Sequence, residues 1–252
     1  MAGGGVPAQP AKFYQKKRTS SKVLVLLLTL AALSMLVFFS LLFDVKTLSI
    51  TGNERVSTDT IRQASGIMLG VNTLKVDLQK VEQQISTIAF IDTVQAVRKF
   101  PNTIEITVTE NQECAYIPFI GNYVGIDEKG KILEIKPQET AVGLPVILGA
   151  ELVGFSIGTT IELKDESKLD TILQMIKQIS INEITAKVKR IDVSDLNDIK
   201  LILDTETVVN FGDTKELTYK LSFLKQVLAQ PDEKRGGVLD LSNPEKVTYK
   251  GN

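Results

Sequence analysis

FIDTVQAVRKFPNTIEITVTE, residues 90–110, reads as a β-hairpin. The first strand runs from about Ile91 to Lys99, and Pro101-Asn102 makes the turn. From Thr103 to Thr109, Ile104, Ile106 and Val108 alternate with Thr103, Glu105 and Thr107. A period of two puts one set on a core and the other in water. Just upstream, Leu78, Val81, Ile85 and Ile88 are spaced three and four apart, the stripe of a helix that starts at Asp77. Before it, Ser57 is a good N-cap and Gly66 a good C-terminal stop for a short helix that faces inward through Ile61 and Ala64. Val45 to Thr51, with Leu48 and Ile50 in alternation, is a strand that stops at Gly52-Asn53. The order is strand, helix, helix, strand, strand.

Immediately before this unit stands VLVLLLTLAALSMLVFFSLLF, Val23 to Phe43, with no charge, Gly or Pro. A helix of that length reaches roughly 30 Å, the thickness of a bilayer's hydrocarbon core. The run is too long for a signal peptide and does not end in small residues, so an uncleaved anchor is expected. Lys12, Lys16, Lys17, Arg18 and Lys22 precede it without any acid. Residues 44–252 carry 24 basic and 30 acidic side chains, a net charge of −6. Basic before and acidic after an apolar span is the positive-inside pattern. It puts residues 1–22 in the cytoplasm as a basic tail on the inner leaflet, with no nucleic-acid role, and the rest of the chain outside.

Downstream, Tyr116-Ile117, Tyr123–Asp127 and Lys131–Ile135 read as short strands, with a turn at Asp127–Gly130. A helix is expected from Asp165 to Ile181, striped by Leu169, Ile172, Leu173, Ile176 and Ile179. Strands follow at Val188–Val193, Ile199–Leu203 and Thr207–Phe211. A second helix, Thr214–Gln230, is striped by Leu217, Leu221, Leu224 and Leu228. Val238 to Tyr249 is expected as one final strand.

The chemistry-bearing residues are few. There is no histidine, which removes the commonest general base and metal ligand, and the single Cys114 allows neither a disulfide nor a thiolate cluster. Cys114 reads as a small half-buried side chain beside acids that would not activate a thiol. Gly125 to Lys131 has phosphate-loop spacing, but Ile132 stands where Ser or Thr must hold magnesium. Ser222-Phe-Leu-Lys225 fits S-x-x-K without its companion motifs and falls on a solvated helix face. Asp192, Asp195, Asp198 and Asp204 read as solvated turn residues rather than as a glycosidase pair. No metal, no cofactor and no catalysis are expected.

A strand–helix–helix–strand–strand unit directly beyond a single anchor resembles a POTRA domain. FDVKTLSITGNERVSTDTIRQASGI (43–67) is similar to the start of the FtsQ type. Val97-Arg98-Lys99-Phe100-Pro101-Asn102 with Ile104 to Glu110 resembles its second signature, although Asn111-Gln112 stands where that family has a basic residue and Pro. Asp127–Gly130, Leu144-Pro145-Val146-Ile147 with Gly149, Phe211-Gly212-Asp213 with Lys220-Leu221, and Val238–Pro244 resemble motifs of the FtsQ/DivIB β-domain. Ser242 occupies the place of its usual Arg. The resemblance implies an α+β chain: a cytoplasmic tail (1–22), a transmembrane helix (23–43), a POTRA domain (45–113) and a β-domain (114–252).

It further implies a non-enzymatic scaffold of the division septum in a bacterial cell membrane. Such a scaffold binds the bitopic coiled-coil proteins FtsB/DivIC and FtsL and so controls septal peptidoglycan synthesis, with a septal penicillin-binding protein as a further candidate partner. Carried to this chain, the partner site falls on Asp240, Leu241, Asn243, Lys246, Val247, Thr248 and Tyr249, an exposed strand edge open to β-augmentation. An envelope assembly or secretion component with a POTRA domain, and a membrane-bound cell-wall hydrolase, are the alternatives.

Overall fold

The computed structural model describes residues 21–230, 236–243 and 245–251. The basic tail lies outside these residues as far as Ser20. Helix α1 spans Ser21–Leu42, starting two residues earlier and stopping one earlier than expected. None of the described residues buries it over residues 21–38, and by length and composition it can cross a membrane, as an anchor does. Two of its hydroxyls bond within the helix: Thr29 Oγ1 donates to Leu26 O and Ser34 Oγ to Ala31 O, both at 2.9 Å.

The next elements are β1 (Thr47–Thr51), α2 (Thr58–Ser65), α3 (Leu78–Ser86), β2 (Ile91–Lys99) and β3 (Thr103–Glu110). They form a three-stranded sheet in the order β1-β3-β2, the expected α+β arrangement. β3 is central, parallel to β1 (Ile50 beside Ile106) and antiparallel to β2 (Ala96 beside Ile106). Its Ile104, Ile106 and Val108 are buried against Ile61, Val81 and Ile85 of the two helices. The caps are those expected: Ser57 accepts from Thr60 N, and Gly66 closes α2 in the left-handed region at φ 62. β1 begins at Thr47 and not at Val45. Val45 pairs instead with a loop, its N–H donating to Val71 O (2.8 Å) and its carbonyl accepting from Gly70 (2.9 Å), and this buries it.

The second sheet has nine strands. They are β4 (Ala115–Phe119), β5 (Asn122–Ile126), β6 (Ile132–Pro137), β7 (Val146–Leu148), β10 (Val188–Asp192), β11 (Ile199–Leu203), β12 (Val208–Gly212), β13 (Val238–Asp240) and β14 (Thr248–Lys250). Their order is β14-β13-β12-β11-β10-β7-β4-β5-β6, and β8 (Leu152–Gly154) with β9 (Glu162–Leu163) makes a separate pair. β7 joins the two halves by running parallel to both β10 and β4. Helices α4 (Ser167–Ile181) and α5 (Leu217–Leu228) supply Ile172, Met175, Ile176, Ile179, Leu221 and Leu224 to the same core as the sheet. α5 starts three residues later than the pattern suggests because Glu216 sits at φ 54, outside helical geometry.

The two sheets are joined by charge. The Glu110 carboxylate accepts from the backbone N–H groups of Glu54 (3.1 Å), Arg55 (2.8 Å) and Val56 (2.9 Å). This turns Arg55 outward, its guanidinium 3.8 Å from the centre of the Phe90 ring. Arg55 then reaches Glu134 of β6 (2.7 Å) and Glu113 (3.7 Å), and Lys136 bonds Glu113 (2.9 Å), Tyr116 Oη (3.3 Å) and Glu134. Glu113 fits because Gly125 has no side chain; a Cβ there would lie 2.0 Å from Glu113 Oε1.

Burial pulls the Lys136 ammonium down, but bonds to Glu134, Glu113 and Tyr116 outweigh this and hold it well above the ordinary lysine range. Burial pushes Glu134 up, and Lys136 and Arg55 together hold it below its ordinary value. The raised lysine stabilises the fold fully below its unfolded value of 10.5, and that contribution is lost as pH rises through the folded value. The lowered carboxylate contributes above 4.5 and is lost as pH falls through its folded value. We expect Lys136→Met to lower the stability of the full chain in detergent by about 2–4 kcal/mol near neutral pH. The gap to wild type should stay level between about pH 5 and 10 and narrow above that, as thermal unfolding across pH will read.

Candidate partner-binding site

The expected last strand, Val238 to Tyr249, is two strands. β13 runs parallel to β12 and antiparallel to β14, so β13 is an inner strand and β14 the end of the sheet among the described residues. The break is made by side-chain oxygens. Asp240 Oδ1 accepts from Ser242 N (2.9 Å) and Ser242 Oγ (2.6 Å), and Asn243 Oδ1 accepts from Glu245 N (3.0 Å). The Lys246 N–H then bonds Asn243 O at 3.1 Å. These are local bonds that Asp, Asn and Ser offer the backbone in competition with a ladder.

The seven candidate residues therefore do different things. Leu241 is buried in the core and its N–H donates to Asn210 O (2.8 Å), so its side chain is closed to a partner. Asp240 is half-buried and shapes the turn. Asn243 and Lys246 are exposed on the turn, and Thr248 is exposed on β14. Val247 and Tyr249 are half-buried and pack on the core, and Tyr249 Oη donates to Gly236 O at 3.0 Å. The hairpin brings together Asn243, Lys246, Val247, Thr248 and Tyr249, and leaves Leu241 behind.

The register fixes which peptide groups face outward. The N–H of Leu241 points to β12, and Val238 and Asp240, alternating with it, pair with Lys250 and Thr248. Thr248 and Lys250 therefore turn their peptides to β13, and Val247 and Tyr249 turn theirs to the outer side. Next to this edge lies a cavity of about 50 Å³ lined by Leu203, Leu224, Val227, Leu228, Leu239 and Tyr249 among others. An apolar pocket beside an end strand is what an added strand uses, backbone for affinity and pocket for a side chain. Leu228 had been visible as the last residue of the helix stripe; Leu203 and Val227 carried no signal that they line this cavity.

Lys220 was missed. It is buried in α5, and its ammonium donates to Phe211 O (3.0 Å) and Asp213 O (2.9 Å), closing the end of β12 where the chain turns into the helix. The remaining chemistry-bearing residues are occupied locally. Asp192 and Asp195 cap their own turns, Asp198 pairs Lys200, and Asp204 pairs Lys187. Burial, then Glu128 and Asp127, push the Cys114 thiol up to about 11, which leaves it unreactive at neutral pH. Among the described residues no group of acids and Cys is placed to hold a metal ion.

Residues 43–111 match the family described as POTRA domain, FtsQ-type, and residues 115–242 match Cell division protein FtsQ/DivIB, C-terminal. The second match stops before β14. The chain is 29% identical over 210 residues to the cell division protein DivIB of Clostridium acetobutylicum, covering 83% of this chain and 81% of that protein. It is 24% identical over 237 residues to the cell division protein FtsQ of Corynebacterium glutamicum, covering 93% and 99%. It is 23% identical over 233 residues to DivIB of Listeria monocytogenes, covering 91% and 82%.

Gly237 sets how closely β14 can approach. It has φ 79, and a Cβ there would lie 2.5 Å from Lys250 O and 3.0 Å from Gly251 Cα. Gly237→Ala should push β14 off the sheet while the other eight strands stay folded. Hydrogen exchange should then rise by about tenfold or more at Thr248 and Lys250, a loss of at least about 1.4 kcal/mol of local protection, and stay at wild-type rates in β10 and β11.

Proposed function

Because the chain belongs to the FtsQ/DivIB family of cell division proteins, we propose that it is a non-enzymatic scaffold of the division machinery. α1 anchors it in the cell membrane with residues 1–22 in the cytoplasm and both sheets outside, at the septum. It holds bitopic coiled-coil partners of the FtsB/DivIC and FtsL type and through them helps control septal peptidoglycan synthesis, with a septal penicillin-binding protein within reach of the same assembly. The units would be residues 45–113 for the POTRA domain and 114–252 for the β-domain.

The observation that supports this most directly is the end strand β14, with the peptide of Val247 turned outward and an apolar pocket at its side. A partner strand would extend the sheet at Val247 to Tyr249, set a side chain among Leu228, Val227 and Tyr249, and meet Asn243, Lys246 and Thr248 at its rim. Leu241 and Asp240 act from behind as core and turn. The short length of β14, three residues, and its exposed Lys250 keep the edge from pairing indiscriminately.

The test is Val247→Pro, which removes the outward N–H at that position. Affinity of the full chain for a soluble FtsB/DivIC-type ectodomain should fall by about tenfold or more, and Val247→Ala should stay within about threefold of wild type. Wild-type affinity in the proline variant would rule out pairing through this edge.

A further inference from the structure

Between residues 44 and 113, every exposed large apolar side chain lies in one place. They are Met68, Leu69, Val71, Leu74 and Phe100, with Met68 72% and Leu69 68% exposed. The two halves of the α2–α3 connection, around Met68–Val71 and around Leu74, and the tip of the β2–β3 hairpin bring them together. All three are fastened to the residues that directly follow α1. Thr73 N donates to Phe43 O at 2.7 Å, Val45 exchanges both backbone bonds with Gly70 and Val71, and Asp44 bridges Asn72. Lys46 N donates to Asn102 O at 2.8 Å, and the rings of Phe43 and Phe100 meet edge to face at 5.9 Å. Arg98 ties the hairpin to the loop through Thr73 O (2.8 Å) and Val76 O.

A contiguous apolar patch on an otherwise charged surface marks something that covers it. Here the place of the patch says what. It is bonded to the end of an apolar helix long enough to cross a bilayer, so the membrane surface is at hand wherever that helix is inserted. Exposed Lys75 follows Leu74 and exposed Lys99 precedes Phe100, and exposed Lys46 follows the anchor at three residues. Lysines around apolar residues at the headgroup level are the composition of an interfacial contact, the stems lying along apolar surface and the ammonium groups on phosphates.

We propose that this face of the first sheet rests in the membrane. Met68, Leu69, Leu74 and Phe100 enter the headgroup–acyl boundary of the leaflet next to α1, and Lys46, Lys75 and Lys99 bind lipid phosphates around them. The proposal rests on α1 being a membrane anchor. It makes the domain a second point of attachment, which fixes how the rest of the chain stands over the bilayer and is not left to a swivel at Phe43–Asp44.

The chain contains no tryptophan, so one introduced Trp is a unique probe. The full chain is reconstituted into vesicles of phosphatidylcholine and phosphatidylglycerol, with and without lipids brominated near the headgroup end of the acyl chains. Leu69→Trp and Phe100→Trp are compared with Leu30→Trp in the anchor and with Ile120→Trp, an exposed apolar position in the β4–β5 turn. Leu69→Trp and Phe100→Trp should emit at shorter wavelength than Ile120→Trp and lose about half their intensity or more to the bromines, as expected at roughly 5–10 Å below the headgroups. Unquenched Leu69→Trp and Phe100→Trp beside a quenched Leu30→Trp overturn the proposal and leave the anchor standing. An unquenched Leu30→Trp overturns the anchor and the proposal with it. Equal quenching of Ile120→Trp overturns it too, since adsorption would then be general.

Discussion

Three backbone N–H groups on one carboxylate hold this molecule in shape. Glu110 stands at the end of the central strand of the first sheet and takes the peptides of Glu54, Arg55 and Val56. A carboxylate that accepts several backbone bonds is a strong local constraint, because charge-assisted bonds are about twice as strong as neutral ones and the geometry is fixed at three points. It pins the loop after β1 to the far end of β3. It also decides the direction of Arg55, whose guanidinium lies on Phe90 and meets Glu134 of the second sheet and Glu113 of the linker between the sheets. The junction is built almost entirely of such charged contacts, with Glu113 at its least exposed point, so its geometry is directional. An apolar junction of the same size would tolerate sliding; this one has few positions in which Glu113 and Lys136 are both satisfied.

At the opposite end of the chain the same kind of chemistry breaks a strand. Asp240, Ser242 and Asn243 bond their own backbone, and twelve residues that would make a long flat edge become a three-residue strand, a turn and another three-residue strand. A long exposed edge is a template for any passing chain, and a short one backed by a packed turn is selective. The approach of β14 is in turn set by Gly237, and the floor of the neighbouring pocket by Leu224 and Val227 of α5. Backbone pairing alone would not distinguish partners; under the proposed function the pocket beside it would.

Much of this was legible in the sequence where a period had room to repeat. Nine and eight residues of alternation around Pro101-Asn102 gave the hairpin to within one residue, and Ser57 and Gly66 marked the ends of α2 because their roles are local. β7 was not legible as a strand. It is three residues long, its partners are about 30 residues upstream and 40 downstream, and Val146-Ile147-Leu148 has no alternation to read. The split of β13 from β14 was legible in principle, since Asp-x-Ser and Asn-Pro are turn chemistry. The side-chain oxygens of Asp240, Ser242 and Asn243 outweigh the continuation of one strand from Val238 to Tyr249. Lys220 also left a trace: it sits three after Leu217 and four before Leu224, on the buried stripe. The sequence has no way to show that two carbonyls at the end of β12 await its ammonium.

The apolar patch beside the anchor and the charged junction beyond it make one mechanical argument. Burying one such side chain contributes about 1.5–3 kcal/mol when complete, and the patch side chains would be only partly withdrawn from water. As a free domain that would be a marginal membrane binder, comparable to a single lipid chain. The patch is not free, because α1 ends at its edge, and tethering converts a weak bimolecular contact into an intramolecular one at high effective concentration. A modest contact then suffices to choose an orientation. That orientation carries to β14 only if nothing between the two sheets swivels, and the Glu110–Arg55–Glu113–Lys136 sequence of contacts supplies that stiffness. A partner whose own membrane helix also fixes its height would meet the edge at a set distance from the bilayer, so the register of any added strand is restricted by the membrane as well as by the ladder.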